Sequence, residues 1–317
     1  MANDSPISLT VELGPLRLKN PVMVASGTFG YGQEYAELVP PERLGAMVVK
    51  GISLEPRSGN PPPRIWETCG GMLNSIGLQN VGLRAFLEEK LPWLRQLSVP
   101  VIVNLFGNTV EEYRELATAL DGQEGIDGLE INISCPNVKA GGMTFGSDPE
   151  MAYQVVSAVK SRTNLPVITK LTPNVTDITV IAKAVEDAGT DILSLINTVA
   201  GMAVDLQTRQ PRLANVVGGL SGPAIKPIAL RMVWQVVQVS RVPVIGLGGI
   251  VSLEDALEFL IVGAKAIQVG TANFINPPVT LEIIEGLENY LRQRGLEDIN
   301  EIIGTLESPE GQPGTEH

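Results

Sequence analysis

Short, nearly continuous apolar runs alternate along the chain with longer stretches in which apolar residues recur at helical spacing. Eight runs read as strands, at 21–26, 46–51, 99–106, 128–134, 165–172, 191–198, 242–248 and 266–271. They are apolar at consecutive rather than alternate positions, as strands buried on both faces of a parallel sheet must be. Helix signals lie between them. Asp148-Pro149-Glu150 offers a capping side chain, a proline at the first helical position and an acid beside the positive end of the helix dipole. Ser252 to Asp255 resembles a capping box, with Leu253, Ala256, Leu257 and Leu260 on one face behind it. Ile178, Ile181, Ala182 and Val185 form a similar stripe after Thr176. Two apolar runs around Gly14-Pro15 predict a hairpin ahead of the first strand.

Eight βα units in about 300 residues predict an α/β chain folded as a TIM (β/α)8 barrel, with an N-terminal hairpin and long βα-loop insertions, rather than an open doubly wound sheet. No repeat or linker breaks the series, so residues 1–304 read as a single barrel domain and 305–317 as a polar, disordered tail. With 317 residues, 44% of them hydrophobic, the chain can bury a self-sufficient core.

The formal charge of −12 argues against nucleic acid or an anionic membrane surface as a partner. No apolar run reaches the roughly 18 residues of a spanning helix, and MANDSPISLT lacks the basic-then-apolar order of a signal peptide, so a cytoplasmic location is expected. The single histidine, His317, ends the tail, which removes histidine triads, dyads and histidine-ligated metals from consideration; no metal site is expected. Cys69 and Cys135 make neither a disulfide framework nor a cluster motif.

Barrel enzymes assemble their sites at the C-terminal ends of the strands. Here those ends give Ser26, Lys50, Asn104, Asn132 with Ser134-Cys135, Lys170, Asn197-Thr198, Gly248-Gly249 and Gly270-Thr271. Gly- and Pro-rich stretches at 58–64, 139–146 and 201–223 follow strands two, four and six, where long loops would border the same mouth. Lys50 and Lys170 bring two cations there, each paired either with a core carboxylate such as Glu130 or with an anionic ligand. The glycine turns after the last two strands could cradle a phosphate or could be plain tight turns. Cys135, before a proline in a glycine-rich loop, is either a reactive thiol or inert packing. The residues alone leave open a flavin enzyme, a flavin-free phosphate-binding isomerase or lyase, and a scaffold barrel.

The ordered motifs ASGTFGYG, NSIGLQN, NISCPN, KLTPNVTD, INT, GGLSGPAIKP, GLGG and VGTANF resemble the class 1 dihydroorotate dehydrogenases, from about Leu9 to Arg294. GGLSGPAIKP and KLTPNVTD are most similar to class 1B. The resemblance implies oxidation of dihydroorotate to orotate in pyrimidine (UMP) biosynthesis, with FMN across the barrel mouth. It places the FMN phosphate on Gly222, Gly248, Gly249, Gly270 and Thr271, and lines the flavin with Ser26, Lys50, Gly51, Asn104, Asn132, Lys170 and Ile196. Substrate would be held by Lys50, by Asn74, Ser75, Ile76, Gly77 and Leu78, and by Asn132, Asn197 and Thr198. Cys135 would be the base, assisted by Lys170 and Lys50; an unperturbed thiol pKa of about 8.5 then implies activity rising toward alkaline pH.

Class 1B also implies electron transfer to NAD through a partner carrying FAD and a 2Fe–2S cluster, two copies of each subunit forming a heterotetramer. This chain has too few cysteines to hold such a cluster itself. A class 1A-like enzyme using fumarate, or an FMN enzyme acting on another dihydropyrimidine, is the alternative. Thr172, where many relatives have serine, and Ile52, where several have a smaller or hydroxylated residue, depart from the family pattern; Cys69 reads as structural.

Overall fold

The computed structural model describes residues 7–134 and 144–307. Eight parallel strands close into a barrel: β1 (Val22–Val24), β2 (Ala46–Ile52), β3 (Val101–Leu105), β4 (Gly128–Asn132), β5 (Val167–Lys170), β6 (Ile192–Leu195), β7 (Val244–Leu247) and β8 (Ala266–Val269). Each pairs with its neighbour in sequence, and β8 returns to β1, so the expected (β/α)8 architecture is the observed one. Seven of the eight expected runs contain a barrel strand, shorter by up to three residues at an end, while the strand expected at 46–51 extends one residue further, to Ile52.

Packing explains why the apolar runs were continuous. The strands contribute side chains both to the barrel interior and to the layer beneath the helices, and β1, β3, β5, β6, β7 and β8 are buried at every position. Ile178, Ile181, Ala182 and Val185 are the buried face of the helix Ile178–Asp187. Its cap is Asp177, whose side chain accepts from the Thr179 N–H at 2.9 Å. Asp148 accepts from the Met151 N–H at 2.9 Å, and Ser252 and Asp255 complete a reciprocal capping box.

The two barrel ends are covered differently. The expected hairpin, Val11–Leu13 with Leu16–Leu18, lies across the N-terminal end, so close that a side chain at Gly14 would meet the Asp191 carbonyl oxygen at 3.2 Å. The C-terminal end carries a four-stranded antiparallel sheet that the sequence reading left as loops. Its strands run in the order Val199–Met202, Val217–Ser221, Gly71–Asn74 and Ile65–Thr68, from the insertions after β6 and β2. Among the described residues, no helix is long and apolar enough to cross a membrane.

Candidate active site

Between the barrel mouth and this cover sheet lies a cavity of about 600 Å³. It is lined by Ser26, Lys50, Gly51, Asn74, Ser75, Ile76, Gly77, Leu78, Asn104, Asn132, Lys170, Ile196, Asn197, Thr198, Gly222, Gly248, Gly249, Gly270 and Thr271, which are all the expected site residues but one. That one, Cys135, lies outside the described residues.

Local backbone features aim these groups. The β2–β3 ladder shifts register between Val49 and Ile52, and this irregularity falls on Lys50 and Gly51 at the cavity wall. The Lys50 N–H then donates to the Gly30 carbonyl, outside the ladder, at 2.9 Å. The NSIGL loop turns through Gly77 and Leu78, with φ of 74° and 57°; a leucine in the left-handed region costs energy that the surrounding loop must hold in place. Asn74 donates to the Gly219 carbonyl at 3.3 Å, tying that loop to the neighbouring strand of the cover sheet.

Asn132 at the end of β4, Ser134 just beyond it and Asn197 just beyond β6 form one connected group. Asn197 donates to Asn132 at 3.3 Å and to the Ser134 hydroxyl at 2.9 Å, and its own carbonyl oxygen accepts from the Thr198 N–H at 2.8 Å. Such an amide array offers donors and acceptors side by side, the pattern a cyclic imide presents in return. Thr172 spends its hydroxyl on the neighbouring turn, accepting from Asn174 Nδ2 at 3.1 Å, so serine at this position would do the same work.

The two lysines differ. Lys170, with a side chain 6% exposed, meets Glu130 Oε1 at 3.5 Å, so the carboxylate alternative posed by the sequence applies to it while it still faces the cavity. The Lys50 ammonium forms no hydrogen bond or ion pair with a described residue. Burial, and then the Arg64 charge, hold its pKa below the usual lysine value, with Glu34 opposing weakly. An anion beside Lys50 would relieve that cost.

Glycine backbones fit the phosphate-cradle expectation. At Gly222 (φ 96°) a Cβ would come within 2.7 Å of Gly71 Cα, and at Gly249 (φ 80°) one would meet Lys226 N and Cβ at 2.8 Å. Only glycine permits these conformations together with so close an approach. Ser75 Oγ and Gln268 Oε1 are buried at the cavity wall without a partner among the described residues, as groups awaiting a polar ligand would be. The residues present therefore fit a phosphate-bearing, hydrogen-bonding ligand of FMN's kind.

The sequence reading missed several lining residues. Phe106, Met72, Ile250, Val251 and Phe274 supply the apolar surface, and Ser221 bonds to the Thr271 hydroxyl at 2.7 Å. Gln268 could have been found, as the single polar residue inside the strand run AIQV.

The family model for dihydroorotate dehydrogenase matches residues 8–291. The chain belongs to the dihydroorotate dehydrogenase family. Among its relatives, the "dihydroorotate dehydrogenase B (NAD(+)), catalytic subunit" of Geotalea uraniireducens is 60% identical over 298 residues, covering 94% of this chain and 98% of the relative. The proteins of the same name from Trichlorobacter lovleyi and Thermoanaerobacter pseudethanolicus are 59% and 58% identical, each over 95% of this chain and 99% of the relative. Within the dihydroorotate dehydrogenase family, these are the class 1B type to which the sequence motifs were most similar.

Proposed function

We propose that this chain is the catalytic subunit of an NAD-linked dihydroorotate dehydrogenase, oxidising dihydroorotate to orotate in pyrimidine biosynthesis. The observation that carries the reading is the joining, in one cavity, of a half-buried Lys50 whose ammonium has no partner among the described residues, a cluster of asparagines and a glycine-lined turn region, in a chain whose relatives share that name over nearly their whole length.

Lys50 attracts the substrate carboxylate, while Asn74, Asn132 and Asn197 with Thr198 match the ring's carbonyl and N–H groups. The backbones of Gly222, Gly248, Gly249, Gly270 and Thr271 hold the FMN phosphate, and Ser26, Gly51, Asn104 and Ile196 line the ring system. FMN bound there supplies the acceptor for a hydride from carbon 6. Cys135, as thiolate, takes the proton from carbon 5, so that the two losses leave the carbon–carbon double bond of orotate. Lys170 places positive charge where negative charge develops as the cofactor is reduced.

Electrons leave through a partner subunit, which the relatives' designation as a catalytic subunit supports. That partner carries FAD and a 2Fe–2S cluster in a cytoplasmic heterotetramer of two catalytic and two electron-transfer subunits. Anaerobic mixing of the purified chain with dihydroorotate tests the core of the reading. Rapid bleaching of the flavin absorbance is expected; an oxidised flavin indifferent to dihydroorotate sinks the substrate assignment. Reoxidation by fumarate without any partner would favour the class 1A-like alternative.

A further inference from the structure

Glu130 sits within the otherwise apolar part of β4, inside the barrel and without solvent exposure. Both its oxygens are engaged. Oε1 accepts from Asn104 Nδ2 at 2.8 Å and faces Lys170 Nζ at 3.5 Å; Oε2 accepts from Ser194 Oγ at 3.1 Å and from Gln268 Nε2 at 2.9 Å. One carboxylate thus gathers donors from β3, β5, β6 and β8. Three of the four, Asn104, Lys170 and Gln268, also line the cavity.

Stability is a poor reason for this arrangement. A buried ion pair is at best about neutral against apolar residues of the same volume, because desolvating two charges offsets their attraction. What the carboxylate does achieve is geometric and electrostatic. It draws the Lys170 ammonium and the Asn104 amide to fixed places on the cavity floor, and through Gln268 Nε2 it leaves Gln268 Oε1 without a partner among the described residues. It also sets a full negative charge directly behind Lys170.

We infer that Glu130 is the positioning residue and buried counter-ion of the cavity floor, fixing Lys170 and Asn104 and offsetting the lysine's charge so as to hold down the reduction potential of the bound flavin. The inference rests on the FMN reading above. Reduction adds negative charge to the ring system, which Lys170 favours and Glu130 opposes. Removing the glutamate's charge while keeping its size must make the flavin easier to reduce.

The test is the equilibrium of the FMN-loaded full chain against a redox dye, without oxygen and at fixed pH. Glu130→Gln should move the ratio of reduced to oxidised flavin about tenfold toward reduced, which is about 30 mV for a two-electron couple. Glu130→Asp keeps the charge while shortening the side chain, and should stay within about threefold of wild type. An unchanged Glu130→Gln, or a Glu130→Asp shift as large as that of Glu130→Gln, overturns the inference, since shape rather than charge would then be at work.

If Glu130→Gln does not fold, the double variant Glu130→Gln with Lys170→Met should recover thermal stability in the flavin-free chain, because it leaves no uncompensated buried charge; failure to recover overturns the inference as well. Wild type that binds FMN but ignores dihydroorotate sinks only the substrate assignment. Wild type that binds no FMN overturns both.

Discussion

The two ends of the barrel treat their polar groups in opposite ways. At the N-terminal end, short side chains tie the start of one strand to the turn before the next. Asp127 accepts from the Val101 N–H at 2.8 Å, Asp191 accepts from the Val167 N–H at 2.7 Å and from Lys160 at 2.8 Å, and Asn20 donates to the Arg43 carbonyl at 2.9 Å. At the C-terminal end, Ser75 Oγ and Gln268 Oε1 have no hydrogen-bonding partner among the described residues, and the Lys50 ammonium is desolvated beside the Arg64 charge. One end satisfies itself and the other is built to be satisfied by something else. Stability and chemistry are thereby assigned to opposite faces of the same strands.

Substitutions can break that division, and the largest effect belongs to the chemical end. Cys135→Ser should slow anaerobic bleaching of the flavin by dihydroorotate by about 10²–10⁴-fold, the usual worth of a general base; a loss under about tenfold would take the base assignment away from Cys135.

Next comes the cradle. Gly249→Ala forces a Cβ against Lys226 N and Cβ at 2.8 Å, and an overpacking cost of about 1–3 kcal/mol predicts FMN affinity lower by about 5- to 150-fold in a fluorescence titration. Gly122→Ala is the control. It has a similar left-handed φ of 72° but nothing within 4 Å, so it should leave FMN affinity where it is. Equal losses in both would mean that backbone conformation, not close approach, makes the cradle.

At the N-terminal end, Asp191→Ala should cost about 1–3 kcal/mol in denaturant unfolding, because it strips the partner from the Val167 N–H and from Lys160. Turnover per bound flavin should stay within about twofold. A large fall in turnover would show that the two ends are coupled after all.

The smallest effect is pH-dependent. Burial lowers the Lys50 pKa, so its ammonium costs stability at pH below that lowered value, and the cost fades as pH rises from there toward the usual lysine range. Bound orotate favours the cation. Orotate affinity, followed by flavin absorbance, should therefore fall as pH rises through the lowered pKa, and Lys50→Gln should abolish that fall. A wild-type profile that matches Lys50→Gln would remove Lys50 from carboxylate binding.

The barrel is legible because each of its strands carries its own signal, a short apolar run, most of them closing on or next to a polar residue. Ends were read too long where flanking residues such as Pro166 and Pro243 continue the run outside the ladder. The cover sheet was not legible, and the reason is physical. Its strand Val217–Ser221 is VGGLS, with two glycines and no alternating pattern, and its partner Gly71–Asn74 lies far away in the chain. Nothing local announces such a strand; pairing alone makes it.

The same divide runs through the site. Lys50, Lys170 and the asparagines were visible as polar residues closing apolar runs. Ser194 and Gln268 were overlooked because each sits inside a run, where one polar residue is easily taken for an interruption. Phe106, Met72 and Phe274 reach the cavity only through tertiary structure, and no spacing distinguishes them from ordinary core residues.

The pairing of Gly219 with Asn74 joins residues 145 positions apart, and that separation sets an order of events during synthesis. As the chain emerges, the NSIGL loop exists long before the strand that will hold it, and the glycines at 248, 249 and 270 come later still. Most of the polypeptide, through Phe274, must be made before this cavity can form. Ligand binding at this mouth is thus deferred to the last stage of the protein's birth, and a prematurely terminated chain has no half-built version of it.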